Sequence, residues 1–248
     1  MRKQSSTGIY HVMLRGVNRQ QIFLDKEDCT YFLESLYVCK QISRFKLYAY
    51  CLMGNHVHLL INAKEEPVDM IMRRLGSKHV YWYNSKYERI GHLFQNRFKS
   101  EPVETDAYFL TVLRYIHMNP VKAGIASKPG EYVWSSYREY FEGGQMIDTK
   151  LVMSMLDAEE YVRWHHEPND DVCLDIDDDR GRPAIGDADV MELLTELTGC
   201  HDAADFVRLS EYQQMLCAKE LQAAGASIRQ IGRVTGCGKS RVERWLKR

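Results

Sequence analysis

The sequence predicts an α+β fold, an antiparallel sheet with packed helices, followed by an all-helical C-terminal region. Three observations predict it. Short β-rich segments bounded by turn residues occur early, and two of them, 45–53 and 56–62, are joined only by Gly54-Asn55, which suits a hairpin. Apolar residues recur at helical spacing between the strands, as in Phe109, Val112, Leu113 and Ile116. From about Asp187 onward the pattern is helical throughout.

Taken in order, Ile9–Arg15 reads as a first strand ended by Gly16 and Asn18. Asp25 is placed to cap a helix running to about 41, with Tyr31, Phe32, Leu36 and Val38 among its apolar positions. Two strands, 45–53 and 56–62, form the hairpin, and Pro67 opens a second helix through Met70, Ile71, Leu75 and Val80 to about 83. Residues 91–99 read as a fourth strand whose Gln95, Asn96, Arg97 and Lys99 suit either a nucleic-acid surface or a charged sheet edge. Thr105 or Asp106 caps a helix over 107–118 that Pro120 stops. Segment 167–182, with Pro168, Asn169 and the run Asp175, Asp177, Asp178 and Asp179, reads as a solvated linker, because it lacks the Gly and Glu spacing of a calcium loop.

Net charge is −1 over 248 residues, but it is distributed in blocks. Residues 1–150 carry 21 Lys and Arg against 15 Asp and Glu, 151–180 carry 2 against 10, and 225–248 carry 7 against 1. Two basic regions flanking an acidic one fit polyanion binding at both ends. Seven scattered cysteines without a Cys-x-x-Cys pair predict reduced, mostly buried thiols. No long uncharged apolar run is present and the start leads into a strand, so a cytoplasmic protein with no membrane partner is expected.

Three groups of residues carry chemistry. On a strand, His56 and His58 project to one side with Cα atoms about 7 Å apart. They are either two solvent-facing histidines of a half-buried strand or a chelating pair. Tyr115 lies roughly 110° from the centre of its helix's apolar stripe, and Asn119, one turn on, shares its side. A phenol and an amide are therefore offered together, off the core face. In 227–246, Ser227 is placed to cap one helix and Gly236 to make a left-handed turn, while Ile228, Ile231, Val242, Trp245 and Leu246 pack two crossing helices. This segment resembles the helix-turn-helix of resolvases and repressors, with Lys239, Ser240, Arg241 and Arg244 facing a major groove.

A string of motifs makes the resemblance of the first region specific. Tyr10-His11-Val12, Arg15-Gly16, Asn18-Arg19-Gln20, Ala49-Tyr50-Cys51-Leu52-Met53-Gly54-Asn55-His56-Val57-His58-Leu59-Leu60, Tyr115-Ile116-His117-Met118-Asn119-Pro120-Val121-Lys122-Ala123-Gly124 and Trp134-Ser135-Ser136-Tyr137 occur in this order. Together they resemble the HUH-type single-tyrosine transposases, in particular the branch associated with repetitive extragenic palindromes. The resemblance covers about residues 8–140. It implies a central antiparallel sheet of the ferredoxin-like HUH endonuclease type. It further implies Mg²⁺ or Mn²⁺ on His56 and His58, and Tyr115 as the nucleophile. Asn119 stands where related enzymes often carry a Gln ligand, and its side chain is one methylene shorter.

The expected organisation is a catalytic domain over 1–150, an acidic connecting segment over 151–185 and a helical DNA-binding domain over 186–248. The expected activity is metal-dependent cleavage and rejoining of single-stranded hairpin DNA through a 5′-phosphotyrosine, in transposition. Arg15, Arg19, Arg97, Lys99, Lys239, Arg241 and Arg244 are the DNA-contacting candidates, the tail ones toward flanking duplex. A homodimer is compatible with this reading. A replication or mobilisation nickase and a non-catalytic regulator of repeat elements are the alternatives.

Overall fold

The computed structural model describes residues 3–95, 97–167, 173–174 and 187–247. The chain divides into two units, Met1–Ile176 and Asp177–Arg248.

In the first unit, β1 (Ile9–Arg15), α1 (Lys26–Ser43), β2 (Lys46–Met53), β3 (His56–Asn62), α2 (Val68–Lys86), β4 (Lys99–Pro102) and α3 (Asp106–Lys122) follow in order. The sheet has the order β2-β3-β1-β4, with every neighbouring pair antiparallel. Both β1 and β3 run as anticipated. The β3 strand is buried on both faces rather than one: Val57, Leu59 and Ile61 are covered, and so are His56, His58 and Leu60. Helix α3 packs across β2 and β3, while α1 packs against α2 and β2.

Local chemistry sets most boundaries. Asp25 accepts from the Asp28 amide, and the Asp28 carboxylate accepts from the Asp25 amide, a reciprocal cap at the start of α1. Thr105 caps α3 by accepting from the Tyr108 amide. Pro120, expected to stop α3, lies inside it, because its missing N–H affects only one bond near the end. The helix closes at Gly124, whose φ is +68°. Its amide donates to Val121, and the Ile125 amide reaches back to the Pro120 carbonyl.

The fourth strand differs from expectation. Residues 93–95 run alongside Gly16, with the Val17 amide donating to Leu93 and the Gln95 amide to Arg15, but only the isolated Gly16–Phe94 bridge forms there. Regular pairing with β1 begins at Lys99. Gly16 is required because a Cβ there would collide with the Gln20 carbonyl as the chain doubles back.

The first unit also continues beyond the expected boundary at 150. After α4 (Glu139–Glu142) come α5 (Lys150–Met153) and α6 (Ala158–His166), whose Val152 and Tyr161 are fully buried in the same core. Residues 151–166 are thus part of this unit rather than a connector, because their apolar side chains find the core that the acidic composition concealed. Cys173 joins that core too. The aspartates at 175 and 177–179 lie outside the described residues.

The second unit holds α7 (Asp187–Thr198), α8 (Ala203–Arg208), α9 (Glu211–Ala223), α10 (Ile228–Thr235) and α11 (Lys239–Lys247) around Val190, Leu194, Phe206, Leu221, Ile231, Val242 and Trp245. Gln214 is buried and its Nε2 donates to the Phe206, Val207 and Leu209 carbonyls at the end of α8. All seven cysteines are buried free thiols. Among the described residues, no helix is long and apolar enough to cross a membrane.

Candidate active site

Side chains directly opposite each other in an antiparallel pair share a face. The registers therefore place His11, Met13 and Arg15 of β1, His56 and His58 of β3, Cys51 and Met53 of β2, and Lys99 and Glu101 of β4 on one side of the sheet. Tyr115 of α3 faces this side. Its ring centroid is 5.7 Å from that of His58 and 6.0 Å from that of His11, and the His56 and His58 rings are 5.0 Å apart. The sequence-predicted histidine pair and tyrosine are brought together.

These residues are less exposed than their spacing implied. His58 is fully buried, and His56, Tyr115 and Asn119 are 5%, 3% and 8% exposed. The period-two and 100° patterns set these residues apart from the apolar stripes, but the structure buries them, Tyr115 within the hydrophobic core itself. The sheet face and α3 then close over one another, so off the stripe does not mean in water.

Hydrogen bonds orient the imidazoles. Asn55 Nδ2 donates to the Arg19 carbonyl at 3.2 Å, which turns Asn55 Oδ1 toward His56, and His56 Nδ1 donates to that oxygen at 2.7 Å. His56 therefore carries its lone pair on Nε2. His58 Nδ1 is 2.9 Å from His11 Nε2, and His11 Nδ1 donates to the Glu101 carboxylate at 3.0 Å. Burial, reinforced by the neighbouring His11 and His56 rings, holds the His58 imidazole well below its ordinary pKa, so it is neutral at pH 7.

A divalent ion fits this donor set. His58 Nε2 is buried and has no hydrogen-bond partner among the described residues, a position a cation would satisfy. Asn119 Nδ2 donates to the Tyr115 carbonyl at 3.4 Å, so its amide oxygen is not used in that bond. Imidazole and amide donors bring no negative charge, so an ion they hold keeps its charge for an anionic phosphate. Among the described residues, no group of three or more His, Cys, Asp or Glu forms a metal cluster.

Cationic side chains surround it unevenly. Arg15 is buried opposite His56, and Lys99 stands opposite Met13 at the start of β4. Arg19 is exposed in the turn that holds Asn55, and Arg97 is exposed just before β4. Sequence reasoning missed Lys122, whose ammonium lies 4.9 Å from the Tyr115 ring centroid. The signal for it was its place two turns beyond Tyr115. It also missed Glu101, because the fourth strand was expected before it.

In the second unit, Ser227 caps α10 by accepting from the Gln230 amide, and Gly236 takes φ +68° between α10 and α11. Ile231, Val242 and Trp245 are fully buried, while Ile228 and Leu246 are partly covered. Ser240, Arg241 and Arg244 are exposed on α11. Arg241 is engaged within the unit: it donates to Gln214 Oε1 at 3.0 Å and lies over the Trp245 ring. Lys239 begins α11, and its side chain lies outside the described residues.

Comparison with known proteins follows the same division. Residues 4–119 match the family model described as IS200-like transposase. A solved REP-associated tyrosine transposase, bound to a REP hairpin, superposes with a TM-score of 0.50 at 17% identity, over 60% of this chain and 92% of that one. This likeness shows a shared fold. A Deinococcus radiodurans structure assigned as a transposase has a TM-score of 0.35 at 18% identity, over 47% of this chain and 95% of that one. No curated protein matches the chain.

Proposed function

We propose, from the match of residues 4–119 to the IS200-like transposase family model, that the chain cuts and rejoins single-stranded hairpin DNA with Tyr115 as nucleophile. The observation that carries this reading is the convergence of His56, His58 and Tyr115 on one covered sheet face, with ring centroids 5.0 and 5.7 Å apart.

The phenolic oxygen of Tyr115 forms a new bond to phosphorus, and the bridging 3′ oxygen departs with its electron pair. The phenol proton ends on that oxygen. The product is a 5′-phosphotyrosine and a free 3′-hydroxyl, so one ester bond is exchanged for another and no ATP is consumed. A phenoxide leaves more readily than an alkoxide, so a 3′-hydroxyl reverses the step and rejoins the strand. A Mg²⁺ or Mn²⁺ ion on His56, His58 and the Asn119 amide oxygen would neutralise a non-bridging phosphate oxygen and orient the phosphorus for in-line attack. Burial of Tyr115 and the histidines keeps bulk water from competing with the returning hydroxyl.

Arg15 and Lys99, on the same face, are assigned to the phosphate backbone, with Arg19 and Arg97 at the rim. Hairpin DNA is the proposed substrate because the protein sharing this fold was solved on one. The α10–α11 pair is assigned as a helix-turn-helix for flanking duplex, with Arg244 outermost and Arg241 held against Gln214. The domain assignment proposed here takes 1–176 as catalytic and 187–247 as the duplex reader.

The test is a labelled hairpin oligonucleotide with Mg²⁺. The wild type is expected to give a denaturation-resistant protein–DNA adduct. Tyr115→Phe removes only the hydroxyl, so it should bind DNA and melt like the wild type but give no adduct. An adduct from the Phe variant refutes the role of Tyr115, and undiminished cleavage in EDTA refutes the metal.

A further inference from the structure

The proposed ion site is backed by two residues that do not touch it. His11 is fully buried on β1, between the Glu101 carboxylate and the His58 imidazole. Glu101 Oε1 also accepts from the Tyr108 hydroxyl at 2.7 Å and from the Leu174 amide at 3.0 Å. Burial would raise the Glu101 carboxyl, but the hydrogen bonds from His11, the Leu174 amide and Tyr108 prevail and hold it below its ordinary value. It is therefore a carboxylate, able only to accept.

Direction then propagates. A neutral imidazole has one N–H and one lone pair, and buried rings have no water to offer alternatives. A carboxylate at one end forces the His11 proton onto Nδ1. Its Nε2 is then an acceptor, which forces the His58 proton onto Nδ1 in turn. The remaining atom, His58 Nε2, is the one with no hydrogen-bond partner among the described residues.

We propose that Glu101 and His11 are positioning residues that lock His58 in its Nδ1–H tautomer, so that its Nε2 lone pair is always presented to a divalent ion. The inference rests on the metal-assisted reading above. It is the carboxylate–imidazole support that metal-binding histidines commonly have, extended here through a second imidazole. The carboxylate also adds electron density to His58 through the chain of hydrogen bonds, which strengthens it as a ligand. In the other buried histidine pair, His165 Nδ1 donates to the Tyr161 carbonyl at 2.8 Å and its Nε2 faces His117 Nδ1 at 3.2 Å, so a backbone carbonyl, not a carboxylate, sets the direction there.

The test uses the full chain, labelled with ¹⁵N. In metal-free protein at neutral pH, long-range proton–nitrogen correlation spectra should show protons on Nδ1 of both His11 and His58. A proton on His58 Nε2 overturns the proposal without recourse to any variant. Mn²⁺ binding is then followed by electron paramagnetic resonance. Glu101→Gln preserves size but removes the charge and lets an N–H₂ face His11, so affinity should fall roughly 10- to 100-fold. Tyr108→Phe removes a neighbouring bond to the same oxygen but leaves the carboxylate, so it should bind Mn²⁺ close to wild type. Equal losses in both variants would indicate general loosening and overturn the proposal, as would unchanged affinity in Glu101→Gln. Wild-type protein that binds no Mn²⁺ would overturn the metal-assisted reading along with it. Binding indifferent to Glu101 overturns this inference alone.

Discussion

Replacing His58 by Ala should destabilise the first unit substantially, although its place on an alternating strand suggests a harmless surface change. His58 is fully buried. Truncating a buried ring of this size costs about 3–5 kcal/mol in apolar cores. The change also strands His11 Nε2, now 2.9 Å from its partner, and an unsatisfied buried acceptor costs about 1–3 kcal/mol. The two do not simply add, because the void admits a water that restores part of the bond. A net loss of about 3–5 kcal/mol follows, a large share of the roughly 5–15 kcal/mol of a typical domain. At about 2–4 °C per kcal/mol for a unit of this size, the melting point should fall by roughly 6–20 °C. Urea titration followed by tryptophan fluorescence measures it directly, since Trp82, Trp134 and Trp164 lie in this unit. A loss below about 1 kcal/mol with an unchanged denaturant slope would refute the burial argument. An inactive His58→Ala protein must accordingly be read beside its folded fraction.

Other outcomes follow from the same geometry. His79 is buried among Phe23, Phe32, Trp82, Tyr83 and Phe94, and burial lowers its pKa from 6.5 to about 4. Its stability contribution is complete above pH 6.5 and is lost as pH falls through about 4, because the unfolded chain takes the proton first. At 1.36 kcal/mol per unit, the wild type should lose about 3 kcal/mol over that window that a His79→Phe variant keeps, read from urea midpoints. Ser227→Ala breaks the reciprocal cap with Gln230 and should cost roughly 0.5–2 kcal/mol, moving only the second unit's transition in calorimetry. A chain ending at Ile176 should still cleave a hairpin while binding flanking duplex more weakly. In the full chain Arg244→Ala should reduce the slope of log affinity against log salt by about 0.9. Equal duplex binding and equal slope would reassign the tail.

Much of this protein is written locally. The turn at Gly54-Asn55, the Asp25, Thr105 and Ser227 caps and the left-handed Gly236 depend on a few adjacent atoms, so the residues alone located the elements they bound. The same holds for the alternation in His56–Asn62 and for the pairing of Tyr115 with Asn119 across one helical turn. These local periods, read with the ordered motifs, were enough to indicate the histidine pair and the tyrosine, whose ring centroids the fold sets 5.0 Å apart for His56 and His58 and 5.7 Å apart for His58 and Tyr115.

Tertiary structure decided the rest, and the reasons are non-local. Strand β4 exists where β1 offers an unpaired edge from Tyr10 to Met13, a property of another segment 90 residues away, so its own polar sequence Lys99–Pro102 did not announce it. The acidic residues around Tyr161 hid a helix whose fully buried Tyr161 ring meets His117 and Tyr140. Local rules make Pro120 a stop because they penalise its missing N–H, yet a helix already near its end tolerates that loss. Above all, alternation told which way His56 and His58 point but not what would cover them. That depends on α3 crossing the sheet. The same packing brings Glu101, His11, His58 and Tyr115, spread over more than 100 positions, into one row of contacts.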